Sequence, residues 1–207
     1  MFSSCLMLVV MAAAPNQGVI HVTTDGVDAV DRDGRTKATA FATLAYACEQ
    51  LPPGKNTIRI GAGKFVCSRP AIVPRDTEVL GVGFHGKVFS ELVAADDWTL
   101  SNDLPEHAIN DESLIVLAKN AADIKLFGLL LRSSPDHLIS GGVAMDRADS
   151  IKLETCRFRD FRWFGVRALH SKQIEIAGCS FRHCSQEKFR HRLGQIATDC
   201  FPGRPRC

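Results

Sequence analysis

Charge of one sign is the first thing this sequence lacks: 25 lysines and arginines stand against 23 acidic residues, a formal net charge of +2. With so small an excess there is no global field to gather nucleic acid, and recognition of any charged partner has to come from local clusters. Long apolar runs are missing too. The run Leu6-Met-Leu-Val-Val-Met11 is far too short to cross a bilayer as a helix, so no membrane span is expected. There is no Cys-x-x-Cys pair and no histidine at a matching interval, which excludes the usual zinc sites. No two carboxylates stand out as the acid and base of a glycoside hydrolase.

What is present begins with an export pattern. Residues 1–18 are expected to be a signal peptide, because the apolar run ends in Ala12-Ala-Ala14, a small-residue cleavage pattern. No Lys or Arg precedes the run, and Pro15 follows it. The eight cysteines (Cys5, Cys48, Cys67, Cys156, Cys179, Cys184, Cys200, Cys207) suit an oxidising compartment. A secreted, periplasmic or extracellular location is therefore expected. Hydrophobic content of 45% and charged content of 23% fit one globular domain with a core of useful size.

The strongest internal signal is a repeat. Residues 124–132 (IKLFGLLLR), 151–159 (IKLETCRFR) and 174–182 (IEIAGCSFR) align, with offsets of 27 and 23 residues. Each has two alternating apolar positions, a two-residue break, a second alternating pair and an arginine. Alternation with period two predicts strands that show one face to a core. Short strands repeated at this interval bury that face only by stacking, which is the logic of a solenoid. The spacing of Leu and Asn is not that of a leucine-rich repeat. The four-residue excess of the first unit falls in 133–142, so the strands keep their register. Ile124, Leu126, Leu129, Leu131, Ile151, Leu153, Cys156, Phe158, Ile174, Ile176, Cys179 and Phe181 are expected to be buried in stacks.

Upstream, residues 39–51 (TAFATLAYACEQL) place Phe41, Leu44, Ala45, Cys48 and Leu51 at helical spacing, and Pro52-Pro-Gly54 stops the pattern. Ile58-Arg-Ile60, Phe65-Val66, Ile72-Val73 and Val79-Leu80 read as short strands between glycines and prolines. Residues 98–113 are polar and without period, so they read as a loop.

Asp25-Gly-Val-Asp28, then AFATL at 40–44, IRIGAGKF at 58–65 and VLGVG at 79–83 resemble the opening of pectin-lyase-like proteins. The resemblance covers about 19–185. It implies an all-β fold, a right-handed parallel β-helix with an N-terminal capping helix, and residues 19–185 as that domain. Residues 186–207 then form an atypical tail. The alternation is lost there, so the solenoid is expected to be truncated. The same scaffold carries lyases, hydrolases, epimerases and non-enzymes, so the resemblance speaks for fold before activity. Lyases of this kind abstract a proton beside a uronate carboxylate with an Arg or Lys base, while acidic side chains hold calcium; such Ca2+ is implied by resemblance alone. Asp123 and Asp149 do not fall in register for a calcium site, no other metal or cofactor is expected, and no catalytic residue is assigned.

The repeat sets Arg132, Arg159 and Arg182 at one equivalent position, outward beside inward Phe158 and Phe181, with Arg157 also outward. Stacked strands lie about 4.8 Å apart, so a row of guanidinium groups repels itself unless anions lie between them. Forked donors match carboxylates, and an acidic polysaccharide is the partner this implies. A solvated face neutralised by Asp136, Glu154 and Asp160 also fits. Function is thus read as carbohydrate-directed, lyase-like in scaffold; the alternatives are a non-catalytic binding or surface module and a truncated, inactive fragment. His137, His170 and His183 fall near turns and read as turn residues. Trp163, between Phe161 and Phe164, reads as a core or loop anchor before a sugar platform. Cys156 and Cys179 share one inward position on neighbouring coils and read as thiols packed without a bridge.

Overall fold

Seventeen short strands and one helix make up the computed structural model, which describes residues 18–83, 89–98 and 113–184 and the backbone of 189–192 and 196–199. After β1 (Gly18–Val22) and α1 (Leu44–Glu49), the strands recur in threes. The first member of each triplet is β2 (Asn56–Ile60), β5 (Thr77–Leu80), β8 (Ala122–Phe127), β11 (Asp149–Glu154) or β14 (Lys172–Ala177). With β1 and β17 (Ile196–Asp199) these form a seven-stranded parallel sheet, here called sheet A. The second members are β3 (Gly63–Cys67), β6 (Ser90–Ala94), β9 (Leu129–Arg132), β12 (Arg157–Arg159) and β15 (Ser180–Arg182), and they form sheet B. The third are β4 (Ala71–Val73), β7 (Ser113–Leu117), β10 (Gly141–Asp146), β13 (Phe164–Leu169) and β16 (Phe189–Arg192), sheet C. Three parallel sheets visited in the order A, B, C by each coil make a parallel β-helix, and chirality of parallel crossovers makes it right-handed. Among the described residues no helix is long and apolar enough to cross a membrane.

The repeat seen in the sequence is the register of the ladders. Ile124, Ile151 and Ile174 pair in sheet A, as do Leu126, Leu153 and Ile176. Leu131, Phe158 and Phe181 pair in sheet B. Eight residues separate β9 from β10 and four separate β12 from β13, so the extra length of the first unit is absorbed at one corner. Of the twelve expected core positions ten are buried. Cys179 and Phe181 are half-buried, because β15 is the outer strand of sheet B. Phe158 is fully buried and stacks on Phe181 with ring centroids 4.9 Å apart. Gly142 and Gly165 make room for this stack: a Cβ on Gly142 would lie 2.7 Å from the Phe158 ring, and one on Gly165 2.4 Å from the Phe181 ring.

The corners explain how a chain turns this sharply once per sheet. Ten non-glycine residues have φ between 49° and 59°, and they stack. Asp76, Asp123, Ser150 and Gln173 form one column at the start of the A strands. Asn120, Arg147 and His170 form a second at the C-to-A corner, as expected for a turn position. Gly128, Thr155 and Gly178 form a third at the A-to-B corner. Left-handed backbone on residues with a Cβ costs of order 1 kcal/mol each, and the stacked hydrogen bonds of the coils offset it. Small polar side chains just after the corners knit successive coils. Ser171 Oγ accepts the Ala148 N–H at 3.0 Å and donates to Leu169 O. Ser90 Oγ accepts the Val82 N–H and reaches the carbonyls of Ile60 and Gly61.

The helix is shorter than its amphipathic spacing predicts, spanning Leu44–Glu49 instead of 39–51. Residues 40–41 are extended, because Phe41 bridges to Val22 on the outer edge of β1: its N–H donates to His21 O and its carbonyl accepts from Thr23. An edge amide pair outweighs one more helical turn here. Thr43 caps α1, and the Asp28 carboxylate accepts from the Ala42 and Thr43 amides at 2.7 and 3.1 Å and from the Thr43 hydroxyl at 2.6 Å. Phe41, Leu44 and Cys48 are turned inward as expected, and α1 packs on β1 and β4, closing the first coil. The stretch after 185 contributes β16 and β17 to the ladders; residues 1–17 of the expected signal segment 1–18 lie outside the described residues, Gly18 opening β1, as do 99–112 of the expected loop.

Candidate functional site

Two outward surfaces carry functional groups in register. The first is where sheet B gives way to the B-to-C corner. Arg132, Arg159 and Arg182 are direct ladder partners, one per coil, and Arg157 pairs with Leu130 and Ser180 two residues earlier. The arginine row therefore exists, and its members differ in environment. Arg132 Nε lies 2.6 Å from Glu91 Oε1 on the neighbouring coil, so its charge is compensated. Arg159 is half-buried and Arg182 exposed, and neither has an ion-pair partner among the described residues. Asp160, expected as a neutralising group, is instead within 2.9 Å of His183 Nδ1. Arg157 is half-buried and engaged.

The corner beyond the row carries Trp163, which the sequence reads as a core or loop anchor before a sugar platform. Phe161 and Phe164 are buried, but Trp163 is 47% exposed. Its amide donates to Ser140 O at 3.0 Å, which anchors the backbone of 160–163 under the preceding corner and leaves the indole outside. Leu138, on that preceding corner, is 42% exposed. The two buried phenylalanines carry the anchoring, so the tryptophan is free to present a flat apolar face beside a cationic row. The loop is held by serines: Ser133 Oγ accepts the Ile139 N–H, and the Ser134 hydroxyl is bonded to Asp96.

The second surface is the outer face of sheet A. A groove of about 390 Å³ is lined by Lys55, Asn56, Thr57, Asp76, Glu78 and Asp123, and a continuation of about 350 Å³ by Lys125, Ser150, Lys152 and Glu154. Lys125 pairs with Glu154 at 2.6 Å and Lys152 with Glu175 at 3.1 Å, while Asp76 is paired with Arg75. The sequence reading did not single out Asp76 and Glu78. The signal available was the position of Asp76 one residue before β5, equivalent to Asp123 before Ile124. Asp123 stacks between Asp76 and Ser150, and Asp149 pairs with Ala122, so those two acids are out of register. Calcium needs several oxygens converging on one point. Among the described residues no three His, Cys, Asp or Glu side chains gather in that way, so the calcium implied by resemblance does not fit them.

The thiols divide by environment. Burial pushes Cys48 and Cys67 up to about 12, so both are inert packing groups. Cys156 and Cys179 are unbridged and adjacent, as expected. His170 and His183 each meet a carboxylate, Asp146 and Asp160, at 3.0 and 2.9 Å. Both rings are exposed and sit at left-handed corner residues.

No protein-family model matches the chain, and no curated protein sequence matches it. Among solved structures it is similar to a provisionally designated glycosyl hydrolase from Parabacteroides merdae, with a TM-score of 0.53 and 7% identity over 70% of each chain. It is also similar to a rhamnogalacturonan lyase, with a TM-score of 0.56 and 14% identity, over 83% of this chain and 43% of that one. The chain thus spans less than half the length of that lyase. At these identities the likeness is one of fold alone, that of a parallel β-helix.

Proposed function

We propose that this β-helix is a carbohydrate-directed protein that binds acidic polysaccharide along the seam between sheet B and its following corner. The observation that carries the reading is the in-register row Arg132, Arg159 and Arg182, of which, among the described residues, only Arg132 has its charge compensated. A polymer lying along the solenoid axis meets one guanidinium per coil, about every 4.8 Å, and each fork can take a carboxylate in two hydrogen bonds. Exposed Trp163 offers a ring face to the apolar side of a sugar. The folds of the two solved structures, one named a lyase and one a glycosyl hydrolase, support the carbohydrate class. Export of the protein belongs to the same proposal and is supported by the apolar run and Ala12-Ala-Ala14. A cell fraction containing only uncleaved, cytoplasmic protein contradicts export.

The test is binding of the full chain to polygalacturonate and to a neutral glucan across a salt series. Acidic polymer should bind more tightly, and the difference should shrink above 0.1 M salt, where exposed charges are screened beyond about 10 Å. Arg159→Ala should cost about 1 kcal/mol, roughly fivefold in Kd. Arg132→Ala should do less, because Glu91 already occupies that guanidinium. Trp163→Ala should weaken both polymers alike. Equal affinity for the two polymers, or an Arg159→Ala protein that binds like the parent, defeats the reading. Release of unsaturated uronate during the same incubation distinguishes a lyase from a binding module.

A further inference from the structure

The A-to-B corner holds two thiols whose placement goes beyond packing. Cys156 and Cys179 follow the corner residues Thr155 and Gly178 on successive coils, and the flanking ladder partners, Glu154 with Ala177 and Arg157 with Ser180, put them in register. The Cys156 amide donates to Cys179 Sγ at 3.3 Å. Each thiol lies near the carbonyl two residues before it and a carbonyl of the preceding coil: Cys179 Sγ is 3.5 Å from Ala177 O and 3.3 Å from Leu153 O, and Cys156 Sγ is 3.4 Å from Glu154 O and 3.7 Å from Leu126 O. Both side chains thus lean the same way along the axis. Their Cα atoms are one strand spacing apart, about 4.8 Å, inside the range a disulfide spans. With both side chains leaning the same way, a bridge takes rotation of one side chain together with a small shift of the corner backbone.

The two differ in access. Cys156 is fully buried, and Cys179 is half-buried at the outer strand of the sheet. The other described cysteines, Cys48, Cys67 and Cys184, are buried. We propose that Cys179 and Cys156 form a peroxide-reactive dithiol, with Cys179 as the attacking sulfur and Cys156 as the resolving one. The Cys179 thiolate attacks a hydroperoxide oxygen, the O–O bond breaks, and hydroxide or alkoxide leaves with the electron pair and takes up a proton. Cys179 is then a sulfenic acid. Cys156 sulfur attacks it, the S–O bond breaks, and the departing hydroxide takes the Cys156 proton and leaves as water. Two thiols are oxidised to one disulfide, and one peroxide is reduced by two electrons. The environment favours this assignment of roles. The S–H of Cys156 and the donated amide hold the Cys179 thiol below its usual range, whereas the hydrogen bond to Cys179 and burial hold Cys156 above. The bridge would fasten the fourth coil to the fifth.

The experiment uses the full chain, reduced, freed of reductant and given hydrogen peroxide at equimolar amount, with a sulfenic-acid trap and peptide mapping. The parent should lose the Cys156 and Cys179 thiols together, linked to one another, about tenfold faster than Cys48 or Cys67 is oxidised. Cys156→Ser should stop at Cys179 sulfenic acid and take up the trap there. Serine suits that corner, since Ser171 makes the equivalent contacts at another one. Cys179→Ser should show neither trap nor bridge. A far-UV spectrum matching the parent establishes that each variant is folded, and Cys179→Ala replaces Cys179→Ser if it is not. Oxidation of all cysteines at one rate, a bridge from Cys179 to Cys200 or Cys207, or trap on Cys179 of the parent without a bridge overturns the proposal.

Discussion

Replacing Phe158 by alanine probes the solenoid at the point where its packing has least room to adjust. The side chain is fully buried, its ring lies 4.9 Å from that of Phe181 at an interplanar angle of 6°, and it is flanked by Gly142 and Gly165. Two of its walls are therefore backbone held in ladders, which cannot move in to fill a hole. Removing a phenylalanine from such a site costs about 3–5 kcal/mol, and loss of the aromatic pair puts Phe158→Ala in the upper part of that range. Phe158→Leu is the control: Leu131 occupies the same ladder position one coil earlier, so leucine should fit and cost about 1–1.5 kcal/mol. In urea unfolding followed by circular dichroism, a slope of roughly 2–3 kcal/mol/M turns a loss of about 4–5 kcal/mol into a midpoint about 1.3–2.5 M lower. Coils of a repeat protein contribute through their neighbours, so amide exchange in β12 and β15 should accelerate more than in β2. An alanine variant melting within about half a molar of the parent, or a leucine variant as weak as alanine, would refute the packing argument.

Two further outcomes test the capped end. Asp28→Ala removes the acceptor for the Ala42 and Thr43 amides and the Thr43 hydroxyl, and should cost about 1–2 kcal/mol in the same urea assay, with Asp28→Asn losing less. His21 on β1 has its imidazole held below the usual range, first by burial and then by the charges of Arg59 and Lys37. The unfolded chain therefore takes up that proton more readily than the fold, so stability contributed by neutral His21 is present above about pH 6.5 and lost as pH falls below it. Thermal midpoints of the parent and of His21→Gln from pH 7.5 to 5 should converge at low pH; parallel curves would remove His21 from the account.

The strands were legible because period two survives any corner. IKLETCRFR and IEIAGCSFR carry two core pairs and a break, and pairing of Ile151 with Ile174 and Phe158 with Phe181 follows directly. The helix start was not legible. Phe41 suits a helix face and an edge bridge equally, and only the position of β1 decides between them. The left-handed corners were hidden for a related reason: Arg147, Thr155 and Gln173 have no local preference for that backbone, and the ladder imposes it on them. For the candidate site, the arginine row was readable from the repeat, while its pairing with Glu91 was not, since β6 lies outside the regular region. Of the core and loop-anchor readings of Trp163, the exposure of its ring leaves the loop anchor. Phe161 and Phe164 are core residues, and three aromatics so close together in a chain look alike until the corner turns one of them out.

The eight-residue and four-residue connections at the B-to-C corner have an evolutionary consequence. A change of chain length there leaves every ladder above and below in step, whereas one residue inserted into a strand would reverse which side chains face inward. Heritable variation in length is thus steered to the corners of the solenoid, among them the edge bordered by Arg132, Arg159 and Arg182. A lineage with this scaffold can lengthen, shorten or redecorate that border by insertion and deletion while its core stays under separate selection. Novelty in what such a protein recognises is then expected to accumulate along the lines of corners parallel to the axis, and to be nearly absent from the stacked interior.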